Sequence, residues 1–129
     1  MLSLPSAVRI FLCTEPTDMR RGFDRLAEMV RSVIRQDPLS GHLFVFRSRA
    51  GDRLKLLYWD RDGLALWYKR LEKGRFSTPA RVGEDFRIDA RELTMMLEGL
   101  EDAAVHRRIR FDMSKLPAGS DASRRMRES

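Results

Sequence analysis

Three segments rich in aromatic, β-branched and long apolar residues follow one another closely in the middle of the chain, and they restrict its fold more than any other feature. They span residues 43–47, 53–60 and 64–70. Residues 48–52 separate the first two, and a turn that ends in Asp62-Gly63 separates the second from the third. Asp-Gly favours a tight hairpin, because glycine adopts a positive φ angle without steric cost. The pattern therefore predicts an antiparallel meander of three strands.

Large apolar side chains alternate on both faces of these strands. In the second strand Leu54, Leu56 and Tyr58 share one face, whereas Lys55, Leu57 and Trp59 share the other. One face must pack against a helix, and the other is unusually aromatic for a surface that meets solvent. We expect one buried cluster that contains Leu43, Val45, Leu56, Leu66, Phe23, Leu26 and Val30.

The segments on either side of the meander add a strand and two helices. Residues 8–13 are rich in β-branched and aromatic residues, which indicates a strand that ends before Pro16. Asp18 suits the N-cap of a helix that runs to about Arg35, and its apolar face is Phe23, Leu26, Ala27, Val30, Val33 and Ile34. Asp89-Ala90-Arg91-Glu92 fits the capping box of a second, shorter helix.

A chain of 129 residues supports one hydrophobic core. We therefore predict an α+β fold, in which an antiparallel β-sheet of four to five strands is packed by one long and one short α-helix. The single domain should cover residues 1–105, and residues 106–129 should form a mobile, basic C-terminal tail, because the chain from about Ser114 has few apolar anchors.

Several classes of protein conflict with the sequence. The longest unbroken apolar run, residues 64–68, is far shorter than the roughly 20 residues that cross a bilayer. Residues 1–5 lack the basic start and the apolar stretch of a secretory signal. The single cysteine, Cys13, and two histidines are too few and too scattered for a zinc site. We expect a cytoplasmic protein with no cofactor, no bound metal and no membrane partner.

Charge is distributed unevenly along the chain. The total is +6, but residues 47–75 carry a net +5, residues 84–105 a net −5 and residues 106–129 a net +4. Most of the cations are arginines, whose planar guanidinium suits bidentate contact with phosphate. A basic stripe that faces a polyanion is one interpretation, and a merely solvated basic surface is the other.

Cations and aromatic residues alternate along the predicted sheet, and this combination is typical of surfaces that contact nucleic-acid backbones. The aromatic residues (Tyr58, Trp59, Trp67 and Tyr68) can stack on bases, or they can simply pack a core. The candidate nucleic-acid contacts are Arg47, Arg49, Arg53, Lys55, Lys69, Arg70, Lys73 and Arg75. We expect a fair share of them on the sheet face or edge opposite the long helix, with the acidic 84–105 region elsewhere.

Catalytic groups are hard to assemble from this sequence. Asp52, Asp60 and Asp62 fall at predicted hairpin ends and could hold a divalent ion through oxygen ligands, but tight turns favour aspartate for backbone reasons alone. His42 has no acidic partner at a recognisable spacing, and Cys13 suits a small buried position. We therefore assign no catalytic residue and predict that the chain is not an enzyme.

Four stretches, in this order, resemble the TnpB accessory proteins encoded by the second reading frame of the insertion-sequence-sixty-six transposon family, which are unrelated to the RNA-guided nucleases of the same name. They are residues 17–24 (Thr-Asp-Met-Arg-Arg-Gly-Phe-Asp), 37–46, 52–60 and 66–76. Leu97-Glu98-Gly99 matches a weaker motif. The resemblance covers about residues 3–100, and no family pattern follows from Glu101 onward.

The resemblance implies a bacterial mobile-element protein that accompanies a separate, larger transposase and is needed for efficient transposition. Strand cleavage is attributed to the larger partner, and the family offers no established catalytic residues. We expect a non-enzymatic accessory protein that binds DNA through a basic sheet surface within a transposase complex. DNA and the transposase of the same element are thus the expected partners.

Two alternatives stay open. One is a protein-only adaptor that holds the transposase through the acidic 84–105 region and the aromatic sheet face, without touching DNA. The other is a metal-dependent nuclease built on Asp52, Asp60 and Asp62. The sequence leaves the oligomeric state open.

Overall fold

A computed structural model describes residues 7–98 of the chain. In order, the elements are β1 (Ile10–Leu12), α1 (Phe23–Met29), a π-helical continuation of α1 (Val30–Ile34), β2 (Leu43–Arg47), β3 (Arg53–Asp60), β4 (Gly63–Arg70), β5 (Arg87–Ile88) and α2 (Ala90–Leu97). None of the helices in this range is both long and apolar enough to cross a membrane. The predicted basic tail, residues 106–129, lies outside the described residues.

The five strands form one sheet in the order β4-β3-β2-β1-β5. The antiparallel meander of β2, β3 and β4 is confirmed. However, β1 runs parallel to β2, with Ile10 beside Leu43, and the prediction of a wholly antiparallel sheet is wrong. The physical reason is that α1 connects β1 to β2 and carries the chain back to the end of the sheet where β1 began. The α+β class and the number of strands agree with the prediction.

The predicted hairpin between β3 and β4 forms, although its glycine is used differently. Asp60 pairs with Gly63, so that Arg61 and Asp62 make a two-residue loop. The positive φ angle, 56°, belongs to Arg61, whereas Gly63 is the first residue of β4. The Asp-Gly pair therefore marked the correct place for the turn but not the residue that adopts the left-handed conformation.

A helix covers each face of the sheet. On one face Phe11, Phe44 and Leu57 pack against Leu26 and Val30 of the α1 region. On the other face, buried side chains from all five strands form one cluster with Leu93, Met96 and Leu97 of α2. The aromatic face predicted to meet solvent is therefore covered, and the core has two layers rather than one.

The predicted buried cluster is accordingly divided. Leu43, Val45 and Leu56 lie in the layer under α2, whereas Leu26 and Val30 lie under α1. Leu66 is half-buried on the α1 side, and Phe23, the first residue of α1, is 46% exposed. The prediction that Phe23 is buried is wrong because the helix begins there instead of four residues earlier, which leaves its first turn at the edge of the packed surface.

The two helix starts show contrasting outcomes. Asp18 does not cap α1; its carboxylate accepts hydrogen bonds from the Arg20 backbone N–H (2.9 Å) and from the Arg20 guanidinium. At α2 the predicted capping box is present, since the Glu92 N–H donates to Asp89 Oδ1 (2.7 Å) and the Asp89 N–H donates to Glu92 Oε1 (2.9 Å).

Candidate nucleic-acid interface

Three segments of the chain meet at one end of the sheet. β2 ends there, β3 begins there and β4 ends there, because Arg47 pairs with Leu54 and Arg53 pairs with Arg70. The segment after β1 reaches the same place, where the Thr17 N–H donates to the Arg47 carbonyl (2.9 Å). Residues 17–22, 47–53 and 69–76 together hold nine basic and three acidic side chains, a net +6. We call this surface the basic end.

The turn between β2 and β3 is closely tied to the chain after β4. The Leu71 N–H donates to the Asp52 carbonyl (2.8 Å), and the Phe76 N–H donates to the Gly51 carbonyl (2.8 Å). Ser48 Oγ accepts from the N–H groups of Gly51 (3.2 Å) and Arg53 (3.1 Å). This network fixes the backbone from which the cations of the basic end project.

Arg47 is part of that framework. Its Nε donates to the Phe76 carbonyl at 2.8 Å, and the side chain is half-buried on the α2 face. Gly51 has a φ angle of 83°, and an added Cβ would lie 2.7 Å from Arg47 Cζ. The positive φ angle therefore favours glycine at this turn, and a larger residue would also have to displace the Arg47 guanidinium.

Lys55 also belongs to the internal framework of the basic end, and we therefore remove it from the residues proposed to contact DNA. It is buried, and its Nζ donates to the carbonyls of Met19 and Arg21, each at 2.8 Å. The same ammonium lies 4.7 Å from the centroid of the Tyr68 ring, a cation–π distance. Burial lowers the pKa of Lys55, and Asp18 opposes that shift. An ammonium group committed to two carbonyls inside the protein is not available to phosphate.

By holding the 17–22 segment, Lys55 brings two further arginines to the basic end, and the charge counts along the sequence did not identify them. Arg20 and Arg21 follow Asp18 in the irregular segment that Lys55 holds, and the Arg20 side chain is 91% exposed. The Arg20 guanidinium beside Asp18 holds the pKa of that carboxyl well below its usual range. A signal was present in the sequence, since the two arginines are adjacent and belong to the first family-like stretch.

The remaining predicted cations are distributed around the basic end and do not share one sheet face. Arg49 lies in the β2–β3 turn, and Lys73 and Arg75 lie in the segment after β4; all three are exposed. Of the residues on the strands, Lys69 points to the α2 face, where burial lowers its pKa, whereas Arg53 and Arg70 point to the α1 face. The expected position opposite the long helix thus holds only for Arg47 and Lys69.

Arg53 and Arg70 form the most unusual pair at the basic end. They are directly opposite on neighbouring strands. The hydrogen bond from Leu71 to Asp52 makes the adjacent pair the hydrogen-bonded one, so Arg53 and Arg70 occupy a non-hydrogen-bonded position, where Cα atoms are only about 4.5 Å apart. Like charges directly opposite one another destabilise a sheet. The Glu72 carboxylate, 3.7 Å from Arg70, offsets this repulsion only partly because it is largely exposed.

Beside this pair lies an open cleft of about 430 Å³, lined by Tyr68, Lys69, Arg70 and Glu72. It lies at the end of β4, the strand at the edge of the sheet. The cleft therefore joins the basic end to an aromatic ring and to both faces of the strand.

The three candidate metal-binding aspartates do not converge. Asp60 and Asp62 lie at the hairpin, whereas Asp52 lies at the other end of β3, about 27 Å away for eight residues of extended strand. No cluster of three or more His, Cys, Asp or Glu side chains suited to a metal occurs within residues 7–98.

The remaining candidates for catalysis or base stacking take part in hydrogen bonding or packing within the fold. His42 Nδ1 accepts a hydrogen bond from the Arg9 N–H (3.0 Å), and burial, with Arg9 and Arg87 nearby, lowers the pKa of the imidazole. Cys13 is buried, as predicted, and burial raises the pKa of its thiol. Tyr58 and Trp67 are buried in the layer under α2, which confirms core packing for these two aromatic residues.

The family-like stretches coincide with this surface. Residues 17–24 supply Arg20 and Arg21, residues 52–60 supply Arg53 and Lys55, and residues 66–76 supply the cations at the end of β4. The model of the TnpB_IS66 family, described as IS66 Orf2 like protein, matches residues 8–107. The chain belongs to this family. The resemblance seen in the sequence is thus confirmed, and the IS66 Orf2-like family is one of transposition accessory proteins.

Two curated relatives of this IS66 Orf2-like protein come from Sinorhizobium fredii. Uncharacterized protein y4hO is 43% identical over 100 residues, which is 76% of this chain and 87% of the relative. Uncharacterized protein y4jC is 35% identical over 108 residues, which is 84% of this chain and 92% of the relative. No solved structure matches the chain.

Proposed function

We propose that this IS66 Orf2-like protein is a non-enzymatic accessory factor that binds the DNA backbone through its basic end while it acts together with the transposase of the same element. The observation that carries the proposal is the opposed Arg53–Arg70 pair inside a surface of net charge +6. Two cations at directly opposed strand positions repel each other, and an anion bound between them would relieve that repulsion. A phosphodiester supplies that anion and accepts bidentate hydrogen bonds.

The proposed contacts are the exposed or half-exposed cations around this pair. They are Arg20, Arg21, Arg49, Arg53, Arg70, Lys73 and Arg75. Arg47 and Lys55 support the surface from inside, and Lys69 lies at its margin on the α2 face. Contacts of this kind position a protein on DNA without reading its sequence, and they suit a factor that holds DNA for a partner which cuts it.

The test is a titration of labelled duplex DNA with the full chain over a series of salt concentrations. We expect the logarithm of the affinity to fall linearly with the logarithm of the salt concentration, with a slope of about −0.9 for each phosphate contact. The double variant Arg53→Ala/Arg70→Ala should bind all sequences more weakly and flatten the slope by about 1.8.

The matched control is Arg31→Ala/Arg91→Ala. Both arginines are exposed on helical segments outside the basic end, and the change in net charge is the same. We expect this control to keep the wild-type slope. If the two double variants weakened DNA binding equally, the effect would come from net charge alone and not from the basic end, and the proposal would be contradicted.

The protein-only adaptor is the second candidate, and the acidic side chains of residues 84–98 favour it. Glu84, Asp85 and Asp89 are exposed near β5 and the start of α2, outside the basic end. Co-purification with the transposase after nuclease treatment, together with DNA affinity that does not change with salt, would support the adaptor instead.

A further inference from the structure

β4 is an unusually open edge of the sheet. It has eight residues, pairs with β3 in an uninterrupted register from Gly63 to Arg70, and contains no proline. The opposite edge, β5, has only two residues. Within residues 7–98 no strand pairs with the outer side of β4. A long regular edge of this kind is a template for another strand, and proteins usually shorten, bend or cover it.

The alternation of hydrogen bonds along β4 determines which of its residues direct their backbone N–H and C=O groups away from the sheet. Since Leu71 donates to Asp52, the residues of β4 that bond to β3 are Gly63, Ala65, Trp67 and Lys69. The backbone N–H and C=O groups of the alternate residues therefore point away from the sheet; these residues are Leu64, Leu66, Tyr68 and Arg70. Three of the four carry large side chains that are only half-buried.

We infer that the occupant of this edge is a second copy of the same chain, paired antiparallel through β4 about a two-fold axis at Leu66. The basis is charge: the hairpin places exposed Asp62 just before the strand, and exposed Arg70 ends it. An antiparallel copy centred on Leu66 sets Asp62 opposite Arg70 of the partner subunit, twice in the interface. Opposite charges stabilise a cross-strand pair.

The same register also matches side-chain size. Leu64 lies opposite Tyr68 of the partner subunit, and the small Ala65 lies opposite the large Trp67 of the partner subunit. Shifts by two residues keep the hydrogen bonds but lose the pairing of Asp62 with Arg70. One direction places Arg70 opposite Leu64 and Asp62 opposite Glu72 of the partner subunit. The other places Asp62 opposite Tyr68 of the partner subunit and carries Arg70 past the start of the partner's strand. A shift by one residue turns the wrong backbone groups toward the partner. One register therefore satisfies backbone, charge and size together.

The dimer uses Arg70, which also belongs to the proposed DNA-binding surface, so its first test is made without DNA and measures the mass of the full chain in solution. Light scattering during size-exclusion chromatography, over a range of protein concentrations, should show a dimer that dissociates on dilution. Asp62→Arg should raise the dissociation constant about tenfold, because two attractive cross-strand pairs become two repulsive ones. The charge swap Asp62→Arg/Arg70→Asp should restore dimerisation.

The second test fixes the register by a disulfide. At the two-fold axis the two Leu66 Cα atoms lie about 5.5 Å apart, within the range that a disulfide spans. Leu66→Cys in a Cys13→Ala background should cross-link under mild oxidation. Leu64→Cys is the control, because four residues of offset separate its two copies by about 14 Å. Thermal unfolding of each variant checks that it is folded.

A dimer that cross-links at Leu66→Cys and recovers in the charge swap would support the inference. A monomer at every concentration, cross-linking of Leu64→Cys as fast as that of Leu66→Cys, or a charge swap that fails to restore the dimer would each overturn it. A monomeric chain would leave the β4 edge to a strand from a different protein.

Discussion

Lys55 connects the interior of the protein to its basic surface. Its ammonium group lies 4.7 Å from the centroid of the Tyr68 ring on the α1 face, and two carbonyls of the 17–22 segment accept its hydrogen bonds. Burying a charge is costly unless it is well hydrogen-bonded, so the interaction determines where the segment must lie. Arg20 and Arg21 are displayed as a consequence. Alternation along β3 placed Lys55 on the correct face, but no pattern in the sequence could show that a loop would close over it.

Replacing Lys55 by Met keeps the aliphatic stem and removes both hydrogen bonds. We expect the free energy of unfolding to fall by about 1–3 kcal/mol, because two partly buried carbonyls lose a charged donor. Lys73→Met is the control, since Lys73 is exposed, and it should change stability by less than about 0.5 kcal/mol. Urea unfolding measures both. Equal stability of the two variants would show that the Lys55 bonds contribute nothing.

Gly51 offers a test of how tightly the β2–β3 turn is built. Alanine there suffers both the positive φ angle and contact with the anchored Arg47 side chain, whereas alanine at Gly41 (φ 89°) meets open space. We expect Gly41→Ala to cost about 1–2 kcal/mol for the left-handed conformation. Gly51→Ala should cost at least about 1 kcal/mol more, because Arg47 must release the Phe76 carbonyl. Equal losses in urea unfolding would argue against a fixed Arg47.

Among the elements, the first helix was predicted well at its apolar face and its C-terminal end, but its start and its internal π-helical turn were not. Apolar spacing correctly predicted Leu26, Ala27, Val30 and Ile34 as buried. The start was placed four residues early, because a side chain such as Asp18 satisfies the backbone of a turn as readily as that of a helix. The π-helical turn has no sequence signature, since it depends on how the tightly packed residues settle against the sheet. The end near Arg35 is correct, and Arg35 itself has a φ angle of 63°.

The short helix α2 depends on its cap, because it has only eight residues. Asp89→Ala removes the acceptor for the Glu92 N–H, and we expect a loss of about 1 kcal/mol in the free energy of unfolding. Asp89→Ser keeps an oxygen at the N-cap and should stay within a few tenths of a kcal/mol of the wild type. Because Leu93, Met96 and Leu97 of α2 belong to the buried core on one face of the sheet, chemical denaturation should remain a single cooperative transition in both variants. An unchanged Asp89→Ala protein would mean that packing alone holds the helix.

At the scale of the molecule, local patterns predicted the elements, and long-range pairing was where the prediction failed. The meander needs only short turns between neighbouring strands, so its antiparallel pairing follows from turn chemistry. The parallel pairing of β1 with β2 was available in principle, because a strand, a helix and another strand form a right-handed crossover unit. It was missed because residues 8–13 indicate a strand by their own composition, but nothing in that composition shows which strand they pair with.

The candidate site was predicted in part for the same reason. Residues 47–75 stood out as basic because their charges are close in the sequence. Arg20 and Arg21 are remote in the sequence and reach the same surface only through the parallel β1 and the Lys55 hydrogen bonds. Charge counting cannot separate an exposed arginine from a buried lysine, which is why Lys55 was included.

The last prediction concerns the electrostatic cost of carrying the basic end. The basic end carries a net charge of +6, and its cations, Arg53 and Arg70 above all, repel one another in the free protein. The free energy of unfolding of the full chain should therefore rise as salt increases from low to physiological concentration, because screening weakens that repulsion. Arg53→Gln/Arg70→Gln should be more stable than the wild type at low salt, by a few tenths to about 1 kcal/mol, and should lose most of that advantage at high salt.

The control for that prediction is Arg31→Gln/Arg91→Gln, which removes the same charge outside the basic end and should change both stability and salt dependence less. Thermal unfolding over a salt series measures all three proteins. A protein that keeps a repulsive pair at a cost in stability has a reason to do so when an anion binds there, because binding to the native state repays the repulsion. If Arg53→Gln/Arg70→Gln were less stable than the wild type at low salt, the two guanidiniums would be supporting the fold, and the main argument for phosphate at this position would be lost.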